Sequence, residues 1–233
     1  GITATSLLYR FLVKMGARVS YYIPERQSEG YGLNLEALEH IISDGASLVI
    51  TVDCGISSYE IVEAIGDRID IIITDHHTAP PQIPPARAVI NHKQPDCPYT
   101  DKNLSGVGVA FKLCQALWLR QCGEWYLDDL DIVALGTVAD VVPLVGENRI
   151  IVQAGLKKMN ELPNLGIDKL IDVAGLHDKT ITAGHIGFTL APRLNAAGRV
   201  THATRAVELL VTDDVDLAET IAQELQETNM ERQ

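Results

Sequence analysis

The chain lacks several features that would assign its class at once. It has four cysteines (Cys54, Cys97, Cys114 and Cys122) in 233 residues, and no pair of them is spaced as CxxC. That pattern excludes a disulfide framework and a zinc knuckle, and it fits reduced thiols in a cytoplasm. No apolar run reaches about 18 residues, so no membrane span is expected. No secretory signal is read at its start, and neither an internal repeat nor a low-complexity stretch interrupts it.

Positive charge is scarce as well. Lys and Arg number 19 against 31 Asp and Glu, a net charge of −12, which argues against a generic polyanion binder. The deficit is uneven. Residues 1–30 carry Arg10, Lys14, Arg18 and Arg26 against Glu25 and Glu29, and residues 187–205 carry Arg193, Arg199 and Arg205 with no acid. Residues 206–233 instead hold eight acids against Arg232. Basic patches in an acidic chain suit a nucleic-acid enzyme with an acidic active site, and equally an ordinary surface.

What is present is organised around IDIIITDHHT, Ile69 to Thr78. Its β-branched residues predict a buried strand. The strand stops at Asp75-His76-His77, and Pro80-Pro81 prevents further pairing. A carboxylate and two imidazoles thus sit at the carboxyl end of a central strand, where open α/β sheets bind ligands.

The remaining elements follow in order. Leu7, Leu8, Phe11, Leu12 and Met15 form an amphipathic stripe on a helix closed by Gly16. VSYYI (Val19 to Ile23) predicts a strand, and Asn34 caps a helix that ends near Gly45. ASLVITVD is a buried strand ending at Asp53, Ser57-Ser58-Tyr59-Glu60 is a capping box for the next helix, and AVIN (Ala88 to Asn91) is a further strand. From Ser105 the pattern turns helical, with a break near Pro192 and a last charged helix from Asp214 or Asp216 whose polarity marks a linker rather than a core element. The fold class expected is α/β: a doubly wound, mainly parallel sheet flanked by helices, then a helical part and a C-terminal linker helix. The first helix has no strand before it, so a preceding strand is expected to be missing.

Three acids finish apolar runs: Asp53 in VITVDCG, Asp75 in IIITDHH and Asp140 in LGTVADVV. An Asp in that position is commonly a cap or turn residue. Two adjacent parallel strands would nevertheless bring Asp53 beside Asp75-His76-His77. With Asp140 they make a set of carboxylates and imidazoles without thiolates, which suits Mn²⁺ or Mg²⁺ better than structural zinc. Two such ions about 3.5–4 Å apart clamp the attacking and leaving oxygens of a phosphoryl displacement.

TVDCGIS, TDHHT, GTVADVVPL and APRLNAAGR resemble the successive motifs of the DHH phosphoesterase superfamily. With PERQSEGYGLN, INHKQPDCPY, LSGVGVAFKL and the closing NMERQ, the chain is similar over nearly its whole length to the bacterial RecJ-type single-strand-specific exonucleases. The resemblance implies a 5′-to-3′ exonuclease acting on single-stranded DNA in repair and recombination. It implies that Asp53 bridges two Mn²⁺ or Mg²⁺ ions, that His76 and Asp140 ligate one of them, and that Asp75 orients His76 or joins the metal shell. His77 would face the scissile phosphate. An Asp-X-Asp pair before Gly1 belongs to the same pattern, as does a DHH-associated domain after the last helix. Residues 1–200 are accordingly expected to be a catalytic domain and 201–233 its connecting helix, with little activity in these residues alone.

For the nucleic acid, Arg193, Asn195 and Arg199 occupy a Gly/Ala-rich loop where guanidiniums can grip phosphate. Arg26 and Tyr31 flank Gly30 as a phosphate contact and a stacking ring. The partners expected are single-stranded DNA and either a single-strand-binding protein or a helicase, with no membrane. Two rivals remain: a DHH enzyme for short oligoribonucleotides or cyclic dinucleotides, and a non-catalytic DHH-fold nucleic-acid-binding module.

Overall fold

Three apolar runs pair as parallel strands in the computed structural model, which describes residues 1–24, 32–196 and 200–231. Leu48–Val52 (β1), Asp70–Thr74 (β2) and Ala88–Ile90 (β3) form one sheet of order β1-β2-β3. Ile50 is in register with Ile72, and Ile73 with Val89. Alternation along the strands decides which side chains face which layer. Val49, Ile71, Ile73 and Val89 pack with Leu38 of α2 (Leu35–Ser43) and with Val62 and Ile65 of α3 (Tyr59–Ile65). Ile50, Val52 and Ile90 pack into the larger core on the other face. That core includes Leu7 and Phe11 of α1 (Ile2–Lys14) and Val107 and Phe111 of α4 (Gly106–Cys122). The sheet is covered on both faces, as its uninterrupted apolar strands require.

The helical half continues through α5 (Leu130–Ala139), α6 (Gly146–Glu161) and α7 (Leu165–Val173). A short α8 (Ala183–His185) runs into a π-helical turn, Ile186–Leu190, and then α9 (Ala191–Ala196). Two long helices, α10 (Val200–Val211) and α11 (Val215–Glu231), follow.

Several expectations need correction. Residues 19–23 form no ladder among the described residues: together with β1 they line a cleft of about 1550 Å³. Aromatic and β-branched composition does not make a strand without a neighbouring strand at hydrogen-bonding distance. The capping box at Ser57–Glu60 does not form, because Ser58 takes φ −93°, ψ 40° instead of the extended conformation that aims a cap oxygen at the first turn. Asn34 does cap α2, accepting from the Ala37 amide at 2.7 Å.

The break near Pro192 is absent. A proline ring clashes with the carbonyl four residues back in a regular α-helix, and the π turn immediately before α9 relieves that crowding. The sequence pattern also left α10 unread, and α11 does join the core. Its Ala218, Ile221, Ala222 and Leu225 are fully buried with Leu209 and Leu210 of α10 and Ile167 and Leu170 of α7. Small residues at a spacing of three and four let a polar helix approach closely. Among the described residues, no helix is long and apolar enough to cross a membrane.

Close helix approach also fixes α6 on α5. A Cβ at Gly155 would lie 2.3 Å from the Leu130 carbonyl oxygen and 2.4 Å from the Ala134 Cβ. Gly155→Ala is therefore expected to cost about 2–3 kcal/mol and to lower the melting midpoint by about 4–10 °C in a thermal unfolding experiment. An unchanged midpoint would contradict this packing.

Candidate metal centre

The site begins where the sheet ends. Ladder bonding runs one residue beyond each strand, the Asp53 amide donating to the Thr74 carbonyl at 2.9 Å and the Asp75 amide to the Ile90 carbonyl at 3.1 Å. The Thr74 hydroxyl donates to the Thr51 carbonyl at 2.7 Å. Asp53 and Asp75-His76-His77 are thereby held side by side at the carboxyl edge of β1 and β2. Asp53 adopts φ 61°, a region in which non-glycine residues are uncommon and which recurs at functional sites.

Helices close the site from the other face. Ser105 caps α4 by accepting from the Gly108 amide at 3.1 Å, and the first turn of α4 meets Asp53. A Cβ at Gly106 would fall 1.9 Å from Asp53 Oδ1, so only glycine fits there. The positive end of α4 favours the Asp53 carboxylate charge. A Cβ at Gly136 of α5 would fall 2.2 Å from Thr3 Oγ1 and 2.8 Å from Val107 Cγ1. This tight crossing against α1 and α4 brings Asp140, the C-cap of α5, into the site.

The result is a compact donor set. His76 Nε2 lies 3.2 Å from Asp53 Oδ1 and 3.5 Å from Asp140 Oδ2. Asp53, His76 and His77 each offer a ligand atom within 4.8 Å of the others, and the two imidazole centroids are 4.5 Å apart. Among the described residues His76 Nδ1 is buried without a hydrogen-bond partner, which leaves the Nε2 side to hold the ring. Hard carboxylate oxygens with one or two imidazoles fit Mn²⁺ or Mg²⁺. Cys54 offers no thiolate, since burial and the nearby Asp75 and Asp53 carboxylates push its pKa up to about 12.

Charge coupling inside the set is strong. Burial opposes ionisation of Asp53, while the hydrogen bond from His76 and its charge favour the carboxylate and lower its pKa. Burial also opposes protonation of His76, and there the Asp53 and Asp140 carboxylates prevail, raising its pKa above 6.5. Asp140 is raised by burial and by Asp53, with His76 acting against both.

Asp75 has a different place from either role expected for it. It is 1% exposed. Its Oδ1 accepts from the His76 and His77 amides at 2.7 and 3.1 Å and contacts His77 Nδ1 at 2.7 Å, while Oδ2 accepts from the Ile56 amide at 2.9 Å. It therefore orients the His77 ring, not the His76 ring, and it lies outside the ligand cluster because each of its oxygens already serves the two turns. His77 is half exposed and lines the cleft.

The expected phosphate-gripping loop is only partly brought to this cleft. Asn195 lines it. Arg193 does not: its Nε donates to Gln226 Oε1 at 2.6 Å and NH1 to the Thr189 carbonyl at 2.6 Å, so the guanidinium ties α9 to α11. Arg26, Tyr31 and Arg199 lie outside the described residues. Gly136 was missed by sequence reasoning, because a close approach between distant segments leaves no local pattern. Asn91 was missed too. It is buried, its Nδ2 donates to the His77 carbonyl at 2.9 Å, and its Oδ1 accepts from the Lys93 amide at 2.7 Å. Its only sequence signal is a polar residue directly after a strand.

Comparison with known proteins agrees with this architecture. The chain is 44% identical over 236 residues to the single-stranded-DNA-specific exonuclease RecJ of Bacillus subtilis (strain 168), covering all of this chain and 29% of that protein. It superposes on a crystal structure of exonuclease RecJ bound to manganese with a TM-score of 0.90 at 35% identity, covering 100% of this chain and 59% of that one. Against RecJ in complex with Mg²⁺ from Thermus thermophilus the TM-score is 0.73 at 33% identity, with 30% of that chain covered. The chain thus spans under two thirds of each of these relatives. Residues 1–137 match the N-terminal domain of the DHH family, and the chain belongs to that family.

Proposed function

We propose that this chain carries the metal-dependent catalytic lobe of a 5′-to-3′ exonuclease specific for single-stranded DNA, with Mn²⁺ or Mg²⁺ held by Asp53, His76 and Asp140. The observation that carries the proposal is the convergence of these three side chains, from three separate segments, on one point at the sheet edge. The substrate and the ions follow from the similarity over the whole chain to single-stranded-DNA-specific exonucleases and to manganese- and magnesium-bound RecJ.

Bound divalent ions would polarise the scissile phosphate and offset the charge that develops on its oxygens. The chain's own residues supply position and protons. Asp75 fixes His77 through Nδ1, and from that orientation His77 stabilises phosphoryl charge or donates a proton to the leaving oxygen. Among the described residues β1 is an edge strand, which supports a strand before Gly1 that pairs there and brings the acidic pair of the family pattern to Asp53. In the same reading α11 leads to a substrate-binding domain. The enzyme works in cytoplasmic DNA repair and recombination, beside a single-strand-binding protein or a helicase.

The direct test is hydrolysis by the full-length protein of single-stranded DNA labelled at either end. Mononucleotides released from the 5′ end are expected, and activity confined to short oligoribonucleotides would overturn the reading. In calorimetric titration of the same protein, Asp53→Asn is expected to abolish saturable Mn²⁺ binding. Asp75→Ala, which frees the Ile56 amide and both histidines from their common anchor, should weaken Mn²⁺ binding by about 10–100-fold. Wild-type affinity in either variant would contradict the site.

A proton on His76 competes with the ion. Because its pKa is raised, Mn²⁺ affinity is expected to keep increasing as pH rises through and beyond 6.5, and to fall as pH is lowered. An affinity independent of pH between 6 and 8 would show that His76 is not a ligand.

A further inference from the structure

Two imidazoles beyond the ends of β2 and β3 each bury a ring nitrogen without a partner. His76 is 8% exposed and His92 5% exposed, and among the described residues Nδ1 of both lacks a hydrogen bond. The backbone puts the two residues at matching positions. β2 and β3 run parallel with Thr74 in register with Ile90. Their pairing continues past the strands, the Asp75 amide donating to the Ile90 carbonyl at 3.1 Å. His76 and His92 each follow two residues after that registered pair, and residues two apart along paired strands share a face. Asn91 ties the two turns together, its Nδ2 donating to the His77 carbonyl at 2.9 Å.

The tautomers of the two rings are complementary. His92 Nε2 lies 3.0 Å from the Lys102 carbonyl oxygen, which can only accept, so Nε2 carries the hydrogen. Burial first, and then the charges of Lys93 and His76, lower the pKa of His92 against the pull of that carbonyl, and the ring is neutral. Its Nδ1 is therefore a bare lone pair, a buried acceptor in want of a donor. His76 presents the opposite case. Its Nε2 faces Asp53 Oδ1 and Asp140 Oδ2, and an imidazole that ligates an ion through Nε2 keeps its hydrogen on Nδ1. That is a buried donor in want of an acceptor. A ligating ring almost always donates its other N–H, which fixes its tautomer and orientation. Asp75 does not serve here, because its oxygens are occupied by three amides and the His77 ring.

We propose that His92 is the positioning residue of His76: its Nδ1 accepts, directly or through one water, the Nδ1 hydrogen of the ligating His76 ring. The proposal rests on the metal-dependent reading of the site and adds to it the group that orients one of the ligands. His92 itself touches neither ion nor substrate.

Calorimetric titration of the full-length protein with Mn²⁺ separates the two nitrogens of His92. An Asn side chain can place its oxygen where Nδ1 stands, and a Gln side chain its amide nitrogen where Nε2 stands. His92→Asn thus keeps the acceptor toward His76 and gives up the Lys102 bond, whereas His92→Gln keeps the Lys102 bond and gives up the acceptor. His92→Gln is expected to weaken Mn²⁺ binding by about 10–100-fold, and His92→Asn to bind as the wild type does. A purely structural role in holding Lys102 predicts the reverse order. That order, or equal affinity in the two variants, would overturn the proposal. A crystal structure with Mn²⁺ gives a reading that needs no variant: His76 Nδ1 and His92 Nδ1 are expected to share a hydrogen bond or a single water, and a different acceptor on His76 Nδ1 would overturn the pairing. A wild-type protein that binds no Mn²⁺ defeats the metal-dependent reading and this proposal together. Wild-type binding that His92→Gln leaves unchanged defeats this proposal alone.

Discussion

One buried carboxylate ties the site together. Asp75 accepts on Oδ2 from the Ile56 amide, in the turn that leaves β1, and on Oδ1 from the two amides and one ring nitrogen of the turn that leaves β2. Parallel pairing alone would bring the ends of β1 and β2 to the same edge without fixing the loops beyond them. A charge this deeply buried is tolerated only when its lone pairs are satisfied. The same hydrogen bonds that satisfy it hold the Asp53 turn, the His76 backbone and the His77 ring in one arrangement. Asp75 therefore orders the backbone and the His77 ring at this edge while standing outside the Asp53, His76 and His77 cluster.

The rest of the architecture follows from the need to press two helices against this edge. Gly106 lets the positive end of α4 reach Asp53, and Gly136 lets α5 cross α1 and α4 so closely that Asp140 arrives opposite His76. Two carboxylates and an imidazole this close cannot all keep their solution charge states. Asp53 is held ionised, Asp140 is raised, and His76 holds its proton more tightly than a free imidazole. The arrangement is electrostatically matched to a divalent cation.

Much of this was legible in the sequence where a local pattern carried it. The apolar runs ending at Asp53 and Thr74 gave both strands and both strand ends, because a fully buried parallel strand leaves a continuous β-branched signature. Asp140 was found as the end of an apolar run whose pattern is helical, and that run is α5. VSYYI misled because propensity says nothing about a partner. The acidic composition of α11 hid a buried stripe of Ala218, Ile221, Ala222 and Leu225. Arg193 looked like a phosphate ligand because its partner, Gln226, lies 33 residues away. The roles of Gly136 and Asn91 depend on contacts between distant segments, which no window of sequence displays.

The central claim is that Asp53, His76 and Asp140 share a cation. Anomalous diffraction at the manganese edge, from crystals of the protein grown with Mn²⁺, tests it most directly. The account predicts a strong peak within ligand distance of His76 Nε2, an Asp53 carboxylate oxygen and an Asp140 carboxylate oxygen. A well-occupied manganese elsewhere, with no peak among these three side chains, would contradict it.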